Sequence, residues 1–107
     1  MLISLTAPPT FKAKVPIPIP GGEPVPVEFT FKHRTKDALA EFVKDAPDSK
    51  DIDVVMSVAT GWDLDDAFTR ENVETLLNNF HGAARSIVGG YMEELSFPSR
   101  GRKVRHD

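Results

Sequence analysis

Cysteine is missing from all 107 residues, which excludes a disulfide framework and a thiolate metal site and fits a reducing compartment. Long apolar runs are missing too, so no stretch approaches a membrane span. The opening MLISLTAPPTF has no basic start and too short an apolar run for a secretory signal, so none is expected. Histidine is scarce, and His33, His81 and His106 lie too far apart in sequence to form the i, i+4 pair of a helical zinc site. Ser57 and Ser86 lack the surround of a nucleophile elbow, and no glycine-rich phosphate loop follows a strand. Asp63, Asp65 and Asp66 offer oxygen ligands, but Phe68 stands where a calcium loop needs its glycine. Glu93 and Glu94 are neighbours on a helix and diverge. The chain therefore reads as a non-enzyme, with no cofactor, no metal and no small-molecule substrate.

What is present suits one modest core. The net charge of -3 conceals an uneven layout. Carboxylates outnumber basic residues between Glu41 and Glu74, whereas Arg100, Arg102, Lys103 and Arg105 crowd the last eight positions. The expectation is a single α+β domain over 1–98 and a basic, flexible tail over 99–107. That tail is either a solvated end or an electrostatic contact for an acidic neighbour or for phosphate.

From Phe11 to Phe31 the sequence alternates. Odd positions carry Phe11, Ala13, Val15, Ile17, Ile19, Val25, Val27, Phe29 and Phe31; even ones carry Pro16, Pro18, Pro20, Pro24 and Pro26. Proline removes an amide donor, but prolines two apart spoil only one edge of a strand. With Gly21-Gly22 as the turn, the pattern predicts a proline-rich antiparallel hairpin pairing Ile19 with Val25, Ile17 with Val27 and Val15 with Phe29. Its prolines face outward and block further strand addition along the portions that bear them. The rival is a polyproline-type linker or ligand, although no two prolines stand three residues apart.

About four short α-helices should pack on the apolar face of that hairpin. Thr35 caps the first, with Asp37 in its first turn, Leu39, Phe42 and Val43 as its buried stripe and Pro47 as its stop. Asp48 or Ser49 caps the second, whose Ile52, Val55, Met56 and Ala59 share a face before Thr60-Gly61 closes it. Trp62 then folds back as an anchor between this helix and the two later ones; a binding role is the alternative. Thr69 caps the third helix, with Phe68 and Val73 as a hydrophobic staple and Val73, Leu76, Leu77 and Phe80 along one side. Gly82 is read as a left-handed C-cap. The fourth helix begins at once, with Ala84, Ile87, Val88, Tyr91 and Leu95 inward, folding back on the third as a helical hairpin. Gly89-Gly90 inside it should cost about 1–2 kcal/mol of helix propensity, so either another element approaches closely or the helix bends.

The stretch from Thr60 to Leu95 resembles the tail assembly chaperones of long-tailed bacteriophages. The residues that carry the likeness are Gly61, Trp62, Asp63, Phe68, Thr69, Leu76, Leu77, Phe80, Ala83, Ala84, Ile87 and Tyr91, with a weaker likeness over Phe31 to Val43. The resemblance implies a protein that binds the tape measure protein in the host bacterial cytoplasm. It would keep that client soluble until the tail tube polymerises around it, and it would be absent from the mature virion. The resemblance also implies self-association and contact with the tail tube protein, without a membrane.

Such a task needs apolar surface matched to amphipathic helices. Two surfaces are candidates: the ribbon face beyond what the helices cover, and the region of Gly89, Gly90, Tyr91 and Met92. Trp62, Phe68, Leu76, Leu77 and Phe80 are the expected structural anchors. The alternative function is a small nucleic-acid-binding regulator acting through the basic tail, set against an acidic body that disfavours it.

Overall fold

The computed structural model describes Leu5 and residues 7–96, so the boundary expected at residue 98 and the basic tail lie outside the described residues. Strands β1 (Thr10–Ile17) and β2 (Val25–Lys32) form an antiparallel hairpin. Helices α1 (Lys36–Asp45) and α2 (Asp51–Val58), joined through a tight turn at Ala46–Asp48, lead into strand β3 (Ala59–Trp62). Helices α3 (Arg70–Asn79) and α4 (Ala83–Ser96) complete the order. The sheet runs β1-β2-β3, all antiparallel, and the architecture is α+β, as expected.

Alternation decides the faces. Val15, Ile17, Val27, Phe29 and Phe31 are buried under the helices together with Ile52, Val55, Val58, Val73, Ala83, Ile87 and Tyr91. Lys12, Lys14, Pro16, Pro26 and Lys32, on the even positions, are exposed.

The register is two residues short of the expected one: Ile17 pairs with Val25, Val15 with Val27 and Ala13 with Phe29. The turn explains the slip. The Gly22 amide donates to the Ile19 carbonyl at 2.9 Å, with Pro20 and Gly21 (φ 76°) between them, the pattern of a type II turn. Ile19 is consumed by that turn and cannot face Val25. Pairing remains odd with odd, and Pro16 falls opposite Pro26, where neither strand needs a donor.

Strand β3 replaces the expected helix end. Ala59 leaves the helix in an extended conformation, Thr30 pairs with Gly61 and Phe29 with Trp62, and a bulge separates them from Phe31 and Ala59. Asp63 extends the pairing: its amide donates to the Glu28 carbonyl and its carboxylate accepts the Glu28 amide, each at 3.0 Å. The partner of β3 is the proline-free half of β2, in keeping with a proline-blocked remainder.

Both threonine caps form. Thr35 Oγ1 accepts the Ala38 amide and Thr69 Oγ1 the Asn72 amide, each at 3.1 Å. The α2 cap differs, because Lys50 occupies it without a side-chain bond. Ser49 is drawn backward instead, its hydroxyl donating to the Asp45 carbonyl at 3.3 Å. Val43, expected in a buried stripe, is 45% exposed, since α1 faces the core with Leu39 and Phe42 only.

Gly82 is not left-handed; Phe80 ends α3 in an extended conformation and Ala83 donates to its carbonyl. Space is tight there, because a Cβ would sit 3.0 Å from Pro18 Cγ and the proline ring would have to give by a few tenths of an ångström. The expected helical hairpin is looser than anticipated. Helix α4 lies mainly along β1 and α2, and α3 leans mainly on α2.

Candidate functional site

Two aromatic clusters share the sheet. At one, Tyr91 stacks on Phe11 with ring centroids 5.9 Å apart, tilts against Phe31 at 5.3 Å and meets Phe42 edge-on at 6.1 Å. The Arg34 guanidinium closes it, donating to the Tyr91 hydroxyl at 3.0 Å and lying 4.7 Å from the centre of the Phe42 ring. At the other, Trp62 meets Phe68 edge-on at 5.1 Å and Phe29 at 6.1 Å, and its indole N–H donates to the Asp66 carbonyl at 2.7 Å.

Beside Trp62 an apolar groove of about 420 Å³ opens between the hairpin tip, the 63–69 loop and α3. Ile19, Val25, Trp62, Leu64, Leu76 and Phe80 line it. Val25 and Leu64 are large apolar side chains left 48% and 37% exposed, and both line this groove. This is the part of the ribbon face that the helices leave uncovered. A second and broader hollow of about 870 Å³ lies among α1, α2 and α4, lined by Phe42, Val43, Pro47, Val88, Gly89 and Met92.

The expected site residues separate accordingly. Gly89 is exposed and Met92 half-buried, and both line the second hollow. Tyr91 is 0% exposed, so its ring belongs to the interior and offers no surface. A Cβ on Gly90 would lie 3.0 Å from Val15 Cγ2, so close approach of β1, not a bend, accounts for that glycine. Gly89 has no such neighbour. Of the expected anchors, Trp62, Leu76 and Phe80 converge on the first groove and Phe68 braces Trp62 from behind. Leu77 turns away, toward a hollow between α2 and α3. All five are half-buried.

Sequence reasoning missed Leu64 as a groove residue, whereas Val25 lies on the uncovered ribbon face that the alternation offers as a surface. The sequence signal for Leu64 is slight: one apolar residue among Asp63, Asp65 and Asp66, of a kind that is common on protein surfaces.

The residues matched by the family model described as phage tail assembly chaperone run from 1 to 102, nearly the whole chain. The chain belongs to that family. No significant match is found among the curated proteins or the solved structures.

In this tail assembly chaperone the groove is an apolar slot with a polar rim that includes one carboxylate. Asp66 lines it with Asn72, Thr75 and Asn79, exposed Asp65 adjoins Asp66, and among the described residues no lysine or arginine lines it. Elsewhere Arg70 and Asp53 join α3 to α2 at 2.8 Å, a bond that raises the arginine pKa while both side chains stay half exposed. Among the described residues, no group of three or more His, Asp or Glu side chains converges as metal ligands, and no helix is long and apolar enough to cross a membrane.

Proposed function

We propose that the chain binds the tape measure protein in the host bacterial cytoplasm and keeps it soluble until the tail tube polymerises around it. The family match over residues 1–102 carries this reading. The groove beside Trp62 supports it, because a holding chaperone must expose apolar side chains that a partner can cover and later release. On this reading the chain acts by contact alone, without a cofactor or a chemical step, associates with copies of itself and also meets the tube protein. It leaves before the virion is complete. Repeated weak contacts suit the task, since a client seized tightly at one place could not be handed to the growing tube.

Co-expression tests the proposal. A tape measure protein produced alone should pellet, and the wild-type chain should bring it into the soluble fraction. The double variant Val25→Thr/Leu64→Gln should fold and fail to do so. Full solubilisation by that folded variant would remove the groove from the reading. Failure of the wild-type chain to alter tape measure solubility would remove the function itself.

A further inference from the structure

The groove beside Trp62 carries information about the shape and charge of what fills it. We propose that it takes an amphipathic α-helix whose apolar stripe is flanked by lysine or arginine, and that it discriminates against acidic-flanked helices and against extended peptides. This rests on the chaperone reading only for the identity of the client.

Backbone chemistry excludes a strand. Because Pro16 opposes Pro26, the odd residues of β2 exchange bonds with β1, and the even ones face the other edge. Glu28 shows that orientation directly, trading bonds with Asp63 on the β3 side. The next residue on that edge is Pro26, and Pro24 directly precedes the strand; neither has an N–H to give. An extended peptide entering here would bury carbonyls that find no donor. A helix brings its own hydrogen bonds and needs only side-chain contact.

Charge then selects among helices. Asp66 lines the groove beside the neutral Asn72, Thr75 and Asn79, exposed Asp65 adjoins it on the same loop, exposed Glu23 lies in the hairpin loop, and among the described residues no lysine or arginine lines the groove. Among the described residues none of these three carboxylates has a cationic partner, in contrast to Asp53, which Arg70 occupies. Apolar floor and the unpaired carboxylates of the 63–69 loop together match a helix with leucine-type residues at i, i+3, i+4 and i+7 and cations beside that stripe.

Trp62 is the only tryptophan of the chain and lines the groove, so its emission reports occupancy at this place and nowhere else. Two synthetic helical peptides of about 18 residues, long enough for five turns and lacking tryptophan, share one leucine stripe. Lysine flanks the stripe in one and glutamate in the other. A third is the lysine peptide with a proline at its centre, which prevents the helix. The lysine helix should shift Trp62 emission and bind roughly tenfold tighter than the glutamate helix at low salt, the difference shrinking as salt rises. The proline peptide should bind weakly. In the Asp65→Lys/Asp66→Lys variant, shown folded by circular dichroism, the preference should vanish or reverse.

Equal binding of the lysine and glutamate helices would overturn the inference, as would tight binding of the proline peptide or a preference that survives charge reversal. The two proposals fail separately. A wild-type chain that solubilises tape measure protein but shows no lysine preference keeps its function and loses this inference. A lysine preference without any effect on tape measure solubility does the opposite.

Discussion

Tyr91 and Trp62 each occur once in the chain and meet opposite fates. Tyr91 is 0% exposed, enclosed by Phe11, Phe31, Phe42 and Arg34. Trp62 is half-buried, braced by Phe29 and Phe68 but open to the groove on its remaining side. The clusters are continuous, since Phe29 and Phe31 stack at 5.8 Å, and in both the polar tip of the ring has a hydrogen-bond partner. What differs is cover. Helices α1 and α4 close over the tyrosine, whereas α3 sends only Val73 fully into the core and leaves the hairpin tip uncovered. One cluster holds the fold together, and the other offers surface.

The most direct way to break this contrast is Tyr91→Ala. Removing a fully enclosed ring should cost about 3–5 kcal/mol, and Arg34 would lose its acceptor as well. Urea unfolding of the variant should show a midpoint far below that of the wild type, or no folded baseline at all. A loss under about 1 kcal/mol, typical of a lightly packed site, would mean that the tyrosine end is as loosely built as the tryptophan end.

Helix α4 sharpens the comparison with two adjacent glycines in different surroundings. Gly90→Ala places a methyl group 3.0 Å from Val15 Cγ2, so crowding should outweigh the gain in helix propensity and leave the protein about 1 kcal/mol less stable. Gly89→Ala meets no atom of the described residues within 4 Å and should stabilise by about 0.5–1 kcal/mol. Opposite signs in thermal unfolding would locate the close contact at Gly90 alone.

Much of this arrangement is legible in the residues. Alternation over Phe11 to Phe31 identifies the buried face of the hairpin, because strand geometry sends every second side chain to the same side. Thr35 and Thr69 announce their helices because a hydroxyl before an apolar stripe satisfies a local need, whatever the rest of the chain does.

The misses share a cause: each is settled by a distant partner or by a turn that local patterning does not reveal. Ala59–Trp62 is too short to declare itself a strand, and it becomes one by pairing with Phe29 to Phe31. Helix-end chemistry suggests Gly82 as a cap, but Phe80 ends the helix and Gly82 instead lies close against Pro18 of the hairpin. Ser49 has the chemistry of a cap, yet the Asp45 carbonyl at the end of α1 engages its hydroxyl. The groove is half legible. Its ribbon side comes from the apolar face outrunning the helices, whereas the contribution of Leu64 depends on where the 63–69 loop settles beside Trp62.

The smallest expected effect on stability belongs to Val25→Thr and Leu64→Gln, and that smallness is what makes them informative. Val25 is 48% exposed and Leu64 37%, so little apolar contact is lost when either becomes polar. Threonine keeps the branched shape that β2 favours at its first position, and glutamine sits in a loop already rich in carboxylates. Each change should move the unfolding free energy by no more than about 0.5 kcal/mol. If these side chains existed to complete the core, removing their apolar atoms would cost several times more, and the tryptophan end would resemble the tyrosine end after all. Chemical denaturation therefore asks of both ends the same question, and only an interaction surface answers it with a near-zero cost in stability and a large loss of client solubilisation.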